Sequence, residues 1–276
     1  MKPPRRPWLL TAVATLITAV FLLPVYWMAK TSLTRPDRIL TPTPQWLPAP
    51  FSVENYRAAL DYEGLTRALL NSVVISSGVV ALTLLLGVPL AYALARVRVR
   101  GSGAMVLALL VAQLPPAIVL AAPLFILERR AGLTDSYLGL IAADTTLTLP
   151  FAVIVLRPVL RSFPPELEEA ALVDGCGLPG VLLRVVLPVM APSLVATAGL
   201  CFLIGWGEFL FGLTLAEGPD VQPVTVLLNA FVGQHGTAWG ALMATATLIS
   251  VPVVCVFALF QRFVVGGLTA VRGSSR

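Results

Sequence analysis

Six apolar runs dominate this chain and limit the folds that are open to it. Each is at least 20 residues long, about the length that an α-helix needs to cross the roughly 30 Å hydrocarbon core of a bilayer. With 57% hydrophobic and 12% charged residues, the chain differs clearly from soluble domains. We predict an all-α, polytopic membrane protein with six transmembrane helices in a single domain over residues 1–276. The predicted spans cover residues 8–28, 69–95, 104–127, 137–156, 189–215 and 238–260.

The distribution of basic residues predicts how these spans are oriented. With the N-terminus inside the cell, cytoplasmic segments hold 12 of the 19 lysines and arginines. Five of the other seven lie in the long first outer segment, where charge has least influence on orientation. We therefore expect both termini and residues 157–188 in the cytoplasm. The net charge of +5 reflects this topology rather than nucleic-acid binding, because the arginines do not form one face.

The polar break between the fourth and fifth runs carries helix signals of its own. Pro164-Pro165 is followed by three glutamates, and both proline and acidic residues are favoured in the first turn of a helix. Gly175 supplies a stop signal, and its turn is expected to be crowded and to have a positive φ. A second short apolar run extends from Pro179 to Pro188. The segment is therefore predicted to be a helix pair; the alternative is an ordinary amphipathic loop packed on its own spans.

Helical spacing predicts which side chains of the first short helix share a face. Four of them fall at positions i, i+3, i+4 and i+7, namely Leu167, Ala170, Ala171 and Asp174. Residues at these spacings are neighbours on a helix surface. We expect both alanines to lie on a face where a partner can approach closely.

The fixed positions in this loop match a known pattern. Glu169-Ala170-Ala171 is followed after three residues by Gly175 and after nine more by Val185-Val186-Leu187-Pro188. This spacing, E-A-A-x3-G-x9-[IV]-x-L-P, resembles the loop by which permease subunits of binding-protein-dependent ABC importers bind their ATPase. Every fixed position matches, with Val185 where isoleucine is more usual.

Other stretches of the chain resemble the same family. From about Trp8 onward, the chain is similar to permeases of carbohydrate uptake class 1 ABC importers, of the maltose-transporter type. The resemblance includes residues 91–96, 114–116 and 123–125. One difference lies in the fifth run, where the family often has Trp-Asn-Glu-Phe and this chain has Trp206-Gly207-Glu208-Phe209.

The resemblance implies a function, a set of partners and a set of contact residues. It implies that the chain is one of two permeases in the inner membrane of a bacterium. Two ATPase subunits would bind ATP and magnesium, and an extracellular or periplasmic binding protein would deliver a di- or oligosaccharide. The chain itself would hold no cofactor and would not be an enzyme. The residues implied to couple to the ATPase are Glu169, Ala170, Ala171, Asp174, Gly175, Val185, Leu187 and Pro188.

The residues themselves also restrict the chemistry. The chain has only two lysines, and neither follows a glycine-rich phosphate-binding loop, so ATP hydrolysis is expected on another subunit. We find no pattern of catalytic or metal-ligating residues. No lysine or arginine lies in a predicted span, which favours a neutral or weakly charged carbohydrate over a phosphate ester. Glycerol phosphate esters, carried by a related branch of the family, are the second candidate.

Two carboxylates and one indole inside the spans are candidates for the translocation path. A carboxylate within a membrane normally faces a bundle interior or water, which makes Glu208 and Asp144 candidates, together with Trp206. The alternatives are structural: Glu208 could bond a neighbouring helix, Asp144 could be hydrated near the outer end of its span, and Trp206 could be packing.

Two other classes of membrane protein stay open from the sequence. A secondary transporter would need no ATPase and should contain inverted repeats and broken helices. A membrane enzyme would need a catalytic cluster at one interface. Neither a repeat nor such a cluster is evident in the sequence.

Overall fold

The computed structural model describes residues 7–43, 45–97, 100–233 and 236–273, with the side chains of residues 7, 233, 236 and 261–273 not described. Within these ranges the chain is nearly all helical. Short 3-10 turns cover Pro36–Arg38 and Leu228–Phe231, and one π-helical turn covers Leu182–Val186. The α-helices are α1 Pro7–Ser32, α2 Glu54–Leu60, α3 Leu65–Arg96, α4 Ser102–Ala112, α5 Ala117–Ala131, α6 Tyr137–Ser162, α7 Pro165–Val173, α8 Leu178–Val181, α9 Leu187–Val189, α10 Ala191–Gly207, α11 Leu210–Leu215, α12 Val224–Leu227 and α13 Trp239–Gly273.

The strands of the described part are limited to one small hairpin. Strands β1 (Val232–Gly233) and β2 (Gly236–Thr237) pair antiparallel, with Val232 opposite Thr237. The hairpin lies in the segment between the fifth and sixth spans.

Among the described residues, four helices are individually long and apolar enough to cross a membrane, namely α1, α3, α6 and α13. Two further spans are bent pairs: α4 with α5 at 101°, and the segment Leu178–Val189 with α10 at 83°. Counting each pair as one span gives six, in the predicted order. The predicted fold class, an all-α protein with six spans, is therefore confirmed.

The bends are features that the predicted spans did not contain. The third span was predicted as one helix over residues 104–127, but it breaks at residues 113–116, before and at Pro115-Pro116. Proline removes a backbone donor and disfavours a helical residue before it, which explains this break. The fifth predicted span, 189–215, is interrupted at Met190 and again at residues 208–209. Several helices also extend beyond the predicted bounds, such as α6, which continues to Ser162.

The chain divides into two compact units, and the prediction of a single domain stays a prediction. The first contains residues up to Leu65 together with Leu228–Val251. Within this unit, the Asn55 amide donates to the backbone carbonyls of Ser32 at 3.0 Å and Thr34 at 2.6 Å. The buried Asn55 thereby fixes α2 against the end of α1.

The second unit contains Thr66–Leu227 and the chain from Pro252 onward. Its central helices α3 and α6 pack closely because small residues line α3. A Cβ on Gly78 would overlap the side chain of Ile141, and a Cβ on Gly87 would lie 3.3 Å from Leu149 Cδ1. Between these contacts the hydroxyls of Thr83 and Thr148 are 2.6 Å apart. Small residues and hydroxyl pairs are the usual means by which helices associate inside a membrane.

Candidate functional site

Helix α7 begins and ends as the sequence predicts. Pro165 occupies the first turn together with Glu166 and Glu168. At the other end, the Gly175 N–H donates to Leu172 O at 3.1 Å and the Cys176 N–H donates to Ala171 O at 3.0 Å. These two bonds form a Schellman cap, which requires a left-handed residue after the helix. Gly175 has φ +86°, so the predicted positive φ is confirmed.

The space around Gly175 differs from the expectation. No described heavy atom lies within 4 Å of the place where a Cβ would be, so the prediction of a crowded turn is wrong for this chain. A side chain at residue 175 would be strained by its backbone conformation and not by its neighbours.

The predicted coupling residues divide into an exposed group and an inward group. Ala171 is buried among the apolar side chains of a core that includes Val181 and Val186. The expectation that both alanines face a partner is therefore wrong for Ala171. Val185 and Leu187 are half-buried against the same core. The exposed members are Glu169, Ala170, Asp174, Gly175 and Pro188.

The inward face of α7 explains why Ala171 is buried. Glu168 precedes it by three residues, so the two side chains share a face, and both are buried at 8% exposure. Glu168 Oε1 lies 2.8 Å from Arg96 Nε, and Glu168 Oε2 accepts a hydrogen bond from the Tyr92 hydroxyl at 2.8 Å. The Arg96 guanidinium also donates from Nη2 to the carbonyl of Phe163.

Sequence reasoning missed this contact, because Glu168 was interpreted only as a helix-start residue. A signal was present in α3. Tyr92 and Arg96 are four residues apart, which puts two polar side chains on one face at the end of an apolar span.

The second half of the loop is a continuous helical segment with one wide turn. Between α8 and α9, Leu182–Val186 forms a π-helical turn. Val181 and Val186, five residues apart, are both fully buried. A turn with i→i+5 hydrogen bonds brings such a pair closer to the same face than an α-helical turn does. The π turn therefore orients both valines toward the core that also holds Ala171.

The side chain of Glu208, one residue before the N-cap residue Phe209, caps the start of α11. Its Oε1 accepts the backbone N–H of Leu210 at 2.7 Å and of Phe211 at 2.9 Å, while Oε2 accepts from Phe211 at 3.0 Å and Gly212 at 3.1 Å. These donors are the otherwise unpaired N–H groups of a helix start. Helix capping therefore explains why a carboxylate lies at this position. A role of Glu208 in translocation stays a prediction.

Asp144 lies inside the second unit, with 3% of its surface exposed. Burial excludes contact of Asp144 with bulk water, and a role in the translocation path stays a prediction. Asp144 lines a cavity of about 10 Å³ together with Ser72, Gly205 and Glu208, which is close to the smallest volume that holds one water. Its Oδ1 has no hydrogen-bond partner in the part of the chain that is described.

The aromatic candidate in the fifth span faces the interior. Trp206 is buried and stacks on Phe202, with ring centroids 5.7 Å apart and planes 18° from parallel. The neighbouring Gly207 is exposed, and no described atom lies within 4 Å of where its Cβ would be. An amide at residue 207, as the family often has, would thus point into open space.

Comparisons with known proteins identify the chain's relatives. The model of the binding-protein-dependent transport system inner membrane component family matches residues 83–269. The chain is 32% identical over 260 residues to the diacetylchitobiose uptake system permease DasC of Streptomyces coelicolor, covering 94% of each chain. It is 33% identical over 273 residues to the trehalose transport system permease SugB of Mycobacterium tuberculosis, covering 98% of this chain and 99% of that one.

A solved structure shares the fold. A chain of a bacterial ABC transporter that imports the acidic polysaccharide alginate superposes with a TM-score of 0.79 at 20% identity, covering 95% of this chain and 99% of that chain. The family match covers more than half of the residues, and the relatives align over almost their full length. The chain therefore belongs to the family of inner-membrane components of binding-protein-dependent transport systems, and it is a multi-pass permease subunit of an ABC importer.

Proposed function

We propose that this permease forms half of the translocation path for a di- or oligosaccharide, with a second permease supplying the other half. The named substrates of its relatives, diacetylchitobiose and trehalose, support a carbohydrate. The absence of lysine and arginine from the predicted spans supports a neutral or weakly charged one, because a phosphate group is normally held by a bidentate cation.

The exposed face of α7 and the turn after it carries the proposal for ATPase docking. This surface combines charged side chains with large apolar ones, among them Val173, which is 87% exposed. Exposed apolar patches with a polar rim mark interaction sites. The surface comprises Leu167, Glu169, Ala170, Leu172, Val173, Asp174 and Gly175.

In this proposal the loop and both termini lie in the cytoplasm. Two ATPase subunits bind ATP and Mg²⁺ and dock on the α7 surfaces of the two permeases. A binding protein delivers the carbohydrate from the opposite side of the membrane. Closure of the ATPase dimer moves α7 and changes the side to which the spans open. Such coupling requires that the ATPase bind the two states of the permease with different affinity.

Copurification of the assembled importer tests the docking surface. Glu169→Ala removes one charge-assisted contact, and Gly175→Asp forces an L side chain into a left-handed turn. Both positions lie outside the spans, so both variants should insert. We expect each to retain less ATPase than the parent complex, with the larger loss for Gly175→Asp.

The matched control is Glu63→Ala, which removes an exposed glutamate from the segment between α2 and α3 and should retain the ATPase normally. Normal retention in both loop variants would exclude α7 as the docking site.

The substrate class is tested separately by uptake of trehalose, maltose, diacetylchitobiose and glycerol phosphate esters. A preference for the phosphate ester over every neutral sugar would contradict the proposed class.

A further inference from the structure

We propose that Glu168, Arg96 and Tyr92 form a positioning cluster that passes movement of α7 to α3 and α6. The proposal rests on the function proposed above, because it assumes that α7 receives the movement of the ATPase. It assigns to Glu168 a role different from that of Glu169, although the two glutamates are adjacent.

The carboxylate of Glu168 is held from two directions by a single helix. Arg96 Nε approaches Oε1 at 2.8 Å, and the Tyr92 hydroxyl donates to Oε2 at 2.8 Å. Both partners lie on one face of α3, one turn apart. Rotation of α7 about its own axis would break at least one of these contacts, so the two helices are fixed in orientation as well as in distance.

Two hydrogen bonds to backbone carbonyls extend the connection to α6. Arg96 donates to the carbonyl of Phe163, in the link between α6 and α7. Arg157 of α6 donates from Nε to the carbonyl of Leu94 in α3 at 3.2 Å. The guanidinium of Arg96 thus contacts both a side chain of α7, through the ion pair, and the backbone before α7, through a hydrogen bond. The ends of α3, α6 and α7 are connected through these four contacts.

Burial distinguishes this cluster from an ordinary surface ion pair. The side chains of Arg96 and Glu168 are 19% and 11% exposed, so solvent ions screen their attraction less than that of an exposed pair. Glu169, by contrast, lies about 100° further round the helix and is exposed. The arrangement separates two tasks: residue 169 lies where a partner can be bound, and residue 168 lies where movement can be transmitted to the spans.

The experiment compares ATPase retention with ATP hydrolysis in the complete importer, reconstituted in lipid nanodiscs. Hydrolysis is measured by phosphate release, with and without the binding protein loaded with whichever of trehalose, maltose and diacetylchitobiose stimulates it most. Glu168→Gln removes the charge of the buried residue and leaves the exposed face unchanged. We expect the variant to retain the ATPase as the parent complex does. Stimulation of ATP hydrolysis by the loaded binding protein should fall roughly fivefold or more, a factor that corresponds to a typical coupling free energy.

Two variants separate transmission from folding. Tyr92→Phe removes one hydrogen bond and should give a smaller reduction in stimulation. The double variant Arg96→Gln with Glu168→Gln leaves no buried charge without a partner, so it should assemble with normal thermal stability and still show reduced stimulation. Glu166→Gln removes a matched charge from the exposed first turn of α7 and should leave stimulation unchanged.

Three outcomes would overturn the positioning role. The first is stimulation of hydrolysis in Glu168→Gln equal to that of the parent complex, and the second is the same result in the double variant. The third is a loss of ATPase retention in Glu168→Gln as large as that in Glu169→Ala. The last result would make Glu168 part of docking. If the parent complex itself retains no ATPase, the proposed function fails, and that result is distinct from any of these three.

Discussion

The loops before and after the fifth span are both held firmly, but by different kinds of contact. In the loop before it, the central contacts join side chain to side chain: Glu168 contacts Arg96 and Tyr92, and one backbone carbonyl, that of Phe163, is bound as well. In the loop after it, side chains of other elements bind the loop's backbone. Asn71, for instance, donates to the carbonyls of Asp220 and Gln222 at 3.1 and 2.9 Å.

Further contacts in the second loop follow the same rule. Asp135 Oδ1 accepts the backbone N–H groups of Glu217 at 3.0 Å and Gly218 at 3.2 Å, and Ser72 Oγ accepts that of Val224 at 2.9 Å. Backbone groups are present whatever the side chain is. The shape of this loop can therefore persist while its side chains change, whereas the loop before the fifth span depends on the identity of individual residues.

The largest expected effect comes from breaking the side-chain contact. Arg96→Ala leaves the buried Glu168 carboxylate without its cation, and removal of one partner of a buried pair costs about 3 kcal/mol or more. We expect a reduction of this order in the free energy of unfolding of the complex, measured by SDS titration in mixed micelles. A reduction below about 1 kcal/mol, the range of exposed ion pairs, would show that the pair behaves as a surface contact.

A smaller effect is expected from the contact to the backbone. Asn71→Ala removes the amide hydrogen bonds to the carbonyls of Asp220 and Gln222 and the 2.7 Å acceptor of the Tyr137 hydroxyl, which keeps only its 3.4 Å contact with the Asp220 carbonyl. These groups are only partly buried, and each lost hydrogen bond costs about 0.5–1.5 kcal/mol, so about 1–3 kcal/mol is expected in total. The same titration should give a value in this range. The double variant Glu217→Gln with Asp220→Asn, which replaces two exposed loop side chains, should keep most of the stability. A loss as large as that of Asn71→Ala would contradict the idea that the loop is held mainly through its backbone.

The smallest effect is expected at the exposed ion pair of the second loop. Arg67 Nη1 lies 2.7 Å from Asp220 Oδ1, but the two side chains are 58% and 67% exposed. Exposed pairs contribute about 0–1 kcal/mol and are screened by salt. Arg67→Ala should therefore change the unfolding free energy by less than about 1 kcal/mol, and the difference should disappear in high salt. A salt-independent loss comparable to that of Arg96→Ala would remove the distinction between the two loops.

Local signals in the sequence were enough to predict much of this architecture. The six spans follow from the length of the apolar runs, and the start of α7 at Pro165 and its stop at Gly175 follow from capping preferences. These features depend on residues close together in the chain, so pattern and structure agree.

Features that depend on distant contacts were not predicted. Which face of α7 points inward depends on Arg96, about seventy positions away, so Ala171 was assigned to the wrong face and Glu168 was missed. The burial of Asp144 likewise depends on α3 and α10 packing beside it. The interruption after Gly207 could have been anticipated only by interpreting Glu208 as a helix cap instead of as an intramembrane charge.

The π turn at Leu182–Val186 makes the length of the loop a constraint separate from its chemistry. A π turn holds one residue more than the α-helical turn that it replaces. Deleting one residue there would allow a regular α-helix to form. Because the wide turn takes up that residue, such a deletion would leave the positions before the turn in nearly the same orientation relative to those after it, whereas a deletion in the α-helical part would rotate them by about 100°. An insertion elsewhere between Gly175 and Pro188 would have no such turn to absorb it. Changes of length outside the π turn are therefore expected to be rarer than changes of residue, because they alter the helical phase of the positions before Val185.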